Sequence, residues 1–212
     1  MRDNGCARYP EIAGLMESGE PVCVTLGSAV AGESSDHLYC ELIGYARYGR
    51  SFCIESQRCP VCEYILRNID NSPHEYYFRS GRYTDLEVAR CAAASLPRLG
   101  KDIGSIRIEP LSRIKGNIDV LILYLTPERV MRIVQALAYH DGKRVDMNTI
   151  GAASVCGDCT VHAYSKGIGF SFGCKGSRKH SGYPDHEVPV GIRFDHLDRI
   201  EQGLTMIPKT LD

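Results

Sequence analysis

With 212 residues, 43% of them hydrophobic, the chain is long enough to bury a full core as one large domain or two small intimate halves, and it needs no metal merely to fold. Its 25 basic and 26 acidic residues leave a formal net charge of -1, which excludes the electropositive footprint of a nonspecific nucleic-acid binder or of a protein drawn to anionic membranes. Met1 to Cys6 holds no apolar signal core, and the longest apolar run, Val120 to Leu125, is far short of a membrane span, so the expectation is a cytoplasmic protein with no membrane segment.

The first predicted element is a short helix from Pro10 to Ser18, with Pro10 in its first turn and Gly19 as its stop. Pro21 to Leu26 reads as a strand and Gly27 to Ser35 as a loop. Leu38, Leu42, Tyr45 and Ala46 then share a helical face that stops before Gly49. Ser51 to Glu55 is an extended piece that delivers the chain to Cys59. Thr84 and Glu87 form a capping box for a helix whose Leu86, Ala89, Ala93 and Leu96 share a face, with Pro97 as its stop. Ile118 to Leu125 is apolar at nearly every position, as a strand covered on both faces would be. Thr126 caps the next helix, Pro127 is its first residue, and Val130, Val134, Leu137 and Ala138 line its buried side, with Gly142 just past the end. Ile168 to Phe172 and Val188 to Phe194 are further strands, and Asp195 opens a last helix ending near Gly203. Alternating strands and helices predict an α/β fold, a single domain of mixed sheet with flanking helices.

One order of elements occurs twice. Val22 opens a strand, a helix and a glycine follow, and Cys59 lies 37 positions on; Val120 opens a strand, a helix and a glycine follow, and Cys156 lies 36 positions on. Two related halves, 20–112 and 113–212, would explain this. Residue identity between them is poor, so a generic α/β rhythm explains it equally.

Ten cysteines in this setting argue for ligands, redox groups or core thiols over a disulfide framework, a usage suited to an anaerobic host. Two groups stand out. Cys59-Pro-Val-Cys62 follows Cys53, and Cys156-Gly-Asp-Cys159 precedes Cys174. Neither group alone supplies four well-spaced thiolates, so a four-ligand site needs both. The leading expectation is a [4Fe-4S] cluster held by Cys59, Cys156, Cys159 and Cys174, with Cys62 as an alternative ligand. Zinc ribbons commonly separate their C-x-x-C units by about 15–20 residues. Here 93 residues intervene between Cys62 and Cys156, which favours the cluster over zinc. With three protein thiolates a cluster leaves one iron open as a Lewis acid, whereas four close it for electron transfer or metal handling. The rivals are a zinc-stabilised structural or interaction protein and a dithiol redox protein. The latter would have Cys59 ahead of a helix begun by Glu63-Tyr64-Ile65-Leu66-Arg67. Cys23 and Cys91, among apolar neighbours, read as core thiols, and Cys6 and Cys53 carry no specific signal.

Gly173 to His180, directly after a strand, carries two glycines and the polar Lys175, Ser177 and Arg178. A loop of this composition can cradle a small anionic ligand, although it lacks the spacing of a Walker loop. Asp185-His186-Glu187 is a candidate source of a general base near it. The remaining histidines are scattered, and no serine-hydrolase or dinucleotide-binding motif is found.

Several short motifs occur in a specific order: Tyr39-Cys40-Glu41 with Ala46-Arg47-Tyr48-Gly49; Cys59-Pro60; Ser80-Gly81-Arg82-Tyr83; Ile118-Asp119-Val120 with Pro127 to Arg132; Ser154-Val155-Cys156; Gly173 to Arg178; and Asp185 to Val188. Across nearly its whole length the chain resembles the uncharacterised domain of unknown function 169, found in archaea and anaerobic bacteria. The resemblance implies fold and site position without a reaction. Its cysteine pattern falls on Cys40, Cys59, Cys156 and Cys174, which makes Cys40 a further candidate ligand and sets Cys62 and Cys159 outside the pattern.

Overall fold

The strand at 120–125 is buried at every position, and the rest of the fold is built outward from it. The computed structural model describes residues 8–28, 30–67, 69–100 and 103–208. Seven strands form one mixed sheet: β1 (Val22–Ser28), β2 (Glu33–Ser35), β3 (Phe52–Gln57), β4 (Ser105–Pro110), β5 (Val120–Leu125), β6 (Ile168–Phe170) and β7 (Val188–Arg193). Their order is β2-β3-β4-β1-β5-β7-β6, with β2 parallel to β3 and every other neighbouring pair antiparallel.

Alternate side chains of the central strands feed two cores. Val22, Val24, Ile122 and Tyr124 point to one face, whereas Cys23, Leu121, Leu123 and Leu125 point to the other. The second face is covered by α1 (Pro10–Ala13), α6 (Pro127–Ala138) and α9 (Leu197–Met206). On α6 the buried stripe is centred on Ile133, Ala136 and Leu137, so Val134 is only partly covered. Gly203 lets α9 approach α6 closely, because a Cβ there would lie 2.5 Å from the Ala136 carbonyl oxygen.

The first face carries α2 (Tyr39–Ala46), α3 (Pro60–Leu66), α4 (His74–Arg79), α5 (Leu86–Ala94) and a π-helix over Ser154–His162, continued by α7 (Ala163–Lys166). The last element on this side is α8 (Lys175–His180), packed on α2. Arg47, just past the end of α2, is fully buried and forms a bidentate ion pair with Glu187 at 2.6 and 2.7 Å. Nε donates to the Ser18 carbonyl and Nη2 also to the Ser18 hydroxyl, both at 2.9 Å, so each guanidinium nitrogen has a partner. This pair ties α2 to the segment entering β7 and leaves Glu187 no freedom to act as a general base.

From the centre outward the sheet reads alike in both directions. β1, β4 and β3 on one side correspond to β5, β7 and β6 on the other, with β2 as an extra edge strand. The helix preceding β3 is α2 and the helical segment preceding β6 is the π-helix with α7; α3 follows β3 as α8 follows β6. The crossings match as well, since α3 packs on the π-helix as α8 packs on α2. This correspondence pairs Cys59 with Cys174 and Cys40 with Cys156, a different match from aligning the two C-x-x-C units.

Several boundaries differ from the sequence expectation. The first helix ends at Ala13, and the predicted loop at 27–35 contains β2, whose parallel pairing to β3 has no local sequence signal. The cap of α5 is Asp85, whose carboxylate accepts from the Val88 amide at 2.9 Å, so the Thr84–Glu87 box is not the one used. The last helix is entered through a 3₁₀ turn at Phe194–His196 and runs beyond Gly203.

Candidate functional site

Cys156-Gly-Asp-Cys159 lies within the π-helix, not on a turn. Two features produce this geometry. Ala153 enters with φ 54, and its carbonyl accepts from both the Gly157 amide at 2.7 Å and the Asp158 amide at 3.1 Å. The Thr160 hydroxyl then donates to the Val155 carbonyl, five residues back, at 2.7 Å. The helix is seated on a cross-strand pair of glycines, Gly169 of β6 and Gly191 of β7. A Cβ at Gly169 would stand 1.9 Å from the Asp158 carbonyl oxygen, and one at Gly191 would stand 1.7 Å from that of Cys159. Without side chains at these two positions, the helix backbone lies directly on the sheet.

An i→i+5 ladder winds by roughly 80° per residue, so residues three apart diverge by about 115° and cannot share one side. Cys156 therefore faces α3, whereas Cys159 faces the sheet and its thiol donates to the Pro189 carbonyl at 3.3 Å.

Cys40, Cys59, Cys62, Cys156 and Cys174 line one cavity of about 220 Å³ on the helical face. Each is held by its own element. Cys59 precedes α3 immediately, and the Gln57 side chain accepts from its amide and donates to its carbonyl, both at 2.8 Å. Cys62 follows one turn later and is buried beneath it. Cys40, near the start of α2, has its carbonyl held by the Ser181 hydroxyl at 2.8 Å. Cys174 caps α8, its sulfur accepting from the Ser177 amide at 3.4 Å. Tyr39 ties α2 to the π-helix through a 2.9 Å hydrogen bond between its hydroxyl and that of Thr160. Among the described residues, no group of three or more His, Cys, Asp or Glu side chains is placed to hold a metal ion.

The thiols are electrostatically unequal. A hydrogen bond from Cys62 outweighs burial and brings the Cys59 thiol down to about 6, helped by the amides of Cys62 and Val61. Cys62 is driven well up by proton sharing with Cys156 and Cys59 and by burial. For Cys156 the hydrogen bond from Cys62 lowers the pKa, but burial and the neighbouring sulfurs prevail and raise it. Burial raises Cys40.

Of the loop residues singled out as an anion cradle, only Ser177 lines the cavity. Arg178 is committed to the carbonyls of Phe172, Pro184 and Asp185, and Lys175 is exposed. His180, at the end of the same loop, also lines it, as do Arg58, Tyr76, Tyr77 and Arg82, which the sequence reading did not assign to the site. Arg58 directly precedes Cys59, and Arg82 lies in the Ser80-Gly81-Arg82-Tyr83 motif; those adjacencies were the available signals.

A mixed α/β sheet with one helical face organised around a multi-cysteine cavity is the class of protein that these features define. The chain belongs to the family described as "Uncharacterised ArCR", the domain of unknown function 169, whose model matches residues 15–203. It is similar to an uncharacterized protein of Methanocaldococcus jannaschii, 27% identical over 175 residues that cover 78% of this chain and 75% of the relative. No solved structure matches. Among the described residues, no helix is long and apolar enough to cross a membrane.

Proposed function

We propose that the cavity binds an iron–sulfur cluster, [4Fe-4S] in type, through Cys40, Cys59, Cys156 and Cys174. The observation that carries this reading is that these thiols, from elements that correspond in the two halves of the sheet, line one cavity. Cys159 leaves the expected ligand set because it faces the sheet. A single zinc ion requires four donors converging on one point at about 2.3 Å. A cluster takes its thiolates at the corners of a cube and so suits sulfurs spread around a cavity. Four thiolates close the cluster, which favours electron transfer or metal handling over Lewis-acid chemistry at an open iron.

The unequal pair Cys59 and Cys62 favours a second reading, a dithiol that cycles with a disulfide, in which Cys59 is the attacking thiolate. One preparation separates the readings. Protein purified without oxygen is assayed for iron, acid-labile sulfide and zinc. The cluster reading expects iron and sulfide in equal amounts and brown protein with broad thiolate-to-iron absorption near about 400 nm. Colourless protein with stoichiometric zinc would sink it, and metal-free protein with a reversible Cys59–Cys62 disulfide would favour the dithiol.

A further inference from the structure

Among the described residues that line the cavity, Tyr77 carries a buried side-chain oxygen without a hydrogen-bond partner. It lies on α4, is 2% exposed, and lines the thiol cavity. Its hydroxyl is buried and has no hydrogen-bond partner among the described residues. A phenol is a hydrogen-bond donor, and Cys156 and Cys174 line the same cavity. The ring is fixed by Tyr76 and Tyr83, with centroids at 5.9 and 5.8 Å, and by the Arg82 guanidinium over its face at 5.6 Å. A buried hydroxyl without a partner is costly, and the packing of this ring supplies none.

The other polar groups on the cavity wall share its bias. Besides the thiols, the cavity is lined by Arg58, Arg82, His180 and Ser177, and by no Asp or Glu. Such a wall, without a carboxylate among the described residues, offers donors and positive charge to an occupant rich in acceptors. A sulfide-bridged cluster with four thiolates carries net negative charge and exposes sulfur acceptors.

We propose that Tyr77 is a positioning residue that donates its phenolic hydrogen bond to a sulfur of the bound cluster, and that Arg82, stacked on Tyr76 and Tyr77, adds positive charge that sets its reduction potential. This rests on the cluster reading above. Hydrogen bonds to cluster sulfurs and nearby positive charge both favour the more negative, reduced state, so removing either lowers the potential.

The test uses the full chain, purified and loaded without oxygen, as wild type, Tyr77→Phe and Arg82→Gln. Iron, sulfide, midpoint potential and melting temperature with and without metal are measured for each. Metal-free Tyr77→Phe is expected to melt at or above the metal-free wild type, because it loses only an unsatisfied hydroxyl. The loaded variant is expected to keep its iron and sulfide, gain less stability from loading than wild type does, and show a more negative potential. Arg82→Gln is expected to shift the potential in the same direction, and by less at high salt. Full cluster content with an unchanged potential in Tyr77→Phe would overturn this inference and leave the cluster reading standing. Wild type without iron and sulfide would overturn both.

Discussion

Replacing Gly191 by alanine puts a methyl group where the structure has a backbone oxygen. The new Cβ would lie 1.7 Å from the Cys159 carbonyl oxygen and 2.5 Å from its carbon. Relief to an ordinary contact of about 3.2 Å requires the π-helix to move off β7 by about 1.5 Å, and neither partner is a flexible side chain. Overpacking of this kind typically costs about 1–3 kcal/mol, and a clash between two backbone segments belongs at the upper end. For a chain of this size, about 3 kcal/mol corresponds to a melting temperature lower by about 6–12 °C. Gly116→Ala is the control, because its Cβ would meet nothing nearer than an Arg107 side-chain nitrogen at 4.0 Å. Scanning calorimetry on the two variants measures the difference, and thiol titration without denaturant reads the displacement, since Cys156 moves with the helix. A Gly191→Ala protein that melts with wild type and titrates the same thiols would show that the π-helix does not rest on the glycine pair.

Three further outcomes are expected. In metal-free reduced protein, iodoacetamide at neutral pH should modify Cys59 well ahead of Cys62 and Cys156; the rate should fall as pH drops through about 6, as peptide mapping would show, and preferential labelling of Cys156 would contradict this. Asp158 is buried and raised from 3.8 to about 6 mainly by desolvation, so its folded form prefers the proton; the resulting penalty appears as pH rises from about 4 to 6 and is constant above. Asp158→Asn keeps an acceptor for the Thr149 hydroxyl and should stabilise the protein by about 2–3 kcal/mol at pH 8 but not at pH 4, in urea titrations at both values; equal effects at both would reject the assignment. Glu187→Gln strands the buried Arg47 charge and should cost about 3–5 kcal/mol, whereas Arg47→Met with Glu187→Leu should recover most of it; a double variant as unstable as the single one would show that the pair does more than neutralise itself.

The parts of the fold that local chemistry dictates were legible in the sequence. The continuous apolar run at Val120–Leu125 is the doubly covered central strand, and Pro127 opens α6 at its first position, although the Thr126 side chain makes no capping hydrogen bond. Cys40, Cys59, Cys156 and Cys174, which the resemblance singled out, all line the cavity. The arrangement of the second C-x-x-C was not legible. That spacing assumes a turn or an α-helix, whereas the backbone at 154–162 winds as a π-helix because Gly169 and Gly191 accept it against the sheet. Both glycines read only as weak strand residues until β6 and β7 are paired, so the divergence of Cys159 from Cys156 had no local signature. Tyr77 was silent for the same reason: an unsatisfied hydroxyl is a property of the packed molecule.

Iron and sulfide content across a set of single cysteine-to-serine variants, each purified without oxygen, tests the central claim most directly. Cys40→Ser, Cys59→Ser, Cys156→Ser and Cys174→Ser should each lose most of the iron, the sulfide and the absorption near about 400 nm, while Cys159→Ser, buried against the sheet, retains them. Loss in Cys159→Ser with retention in Cys40→Ser and Cys174→Ser, or zinc in place of iron throughout, would contradict the account.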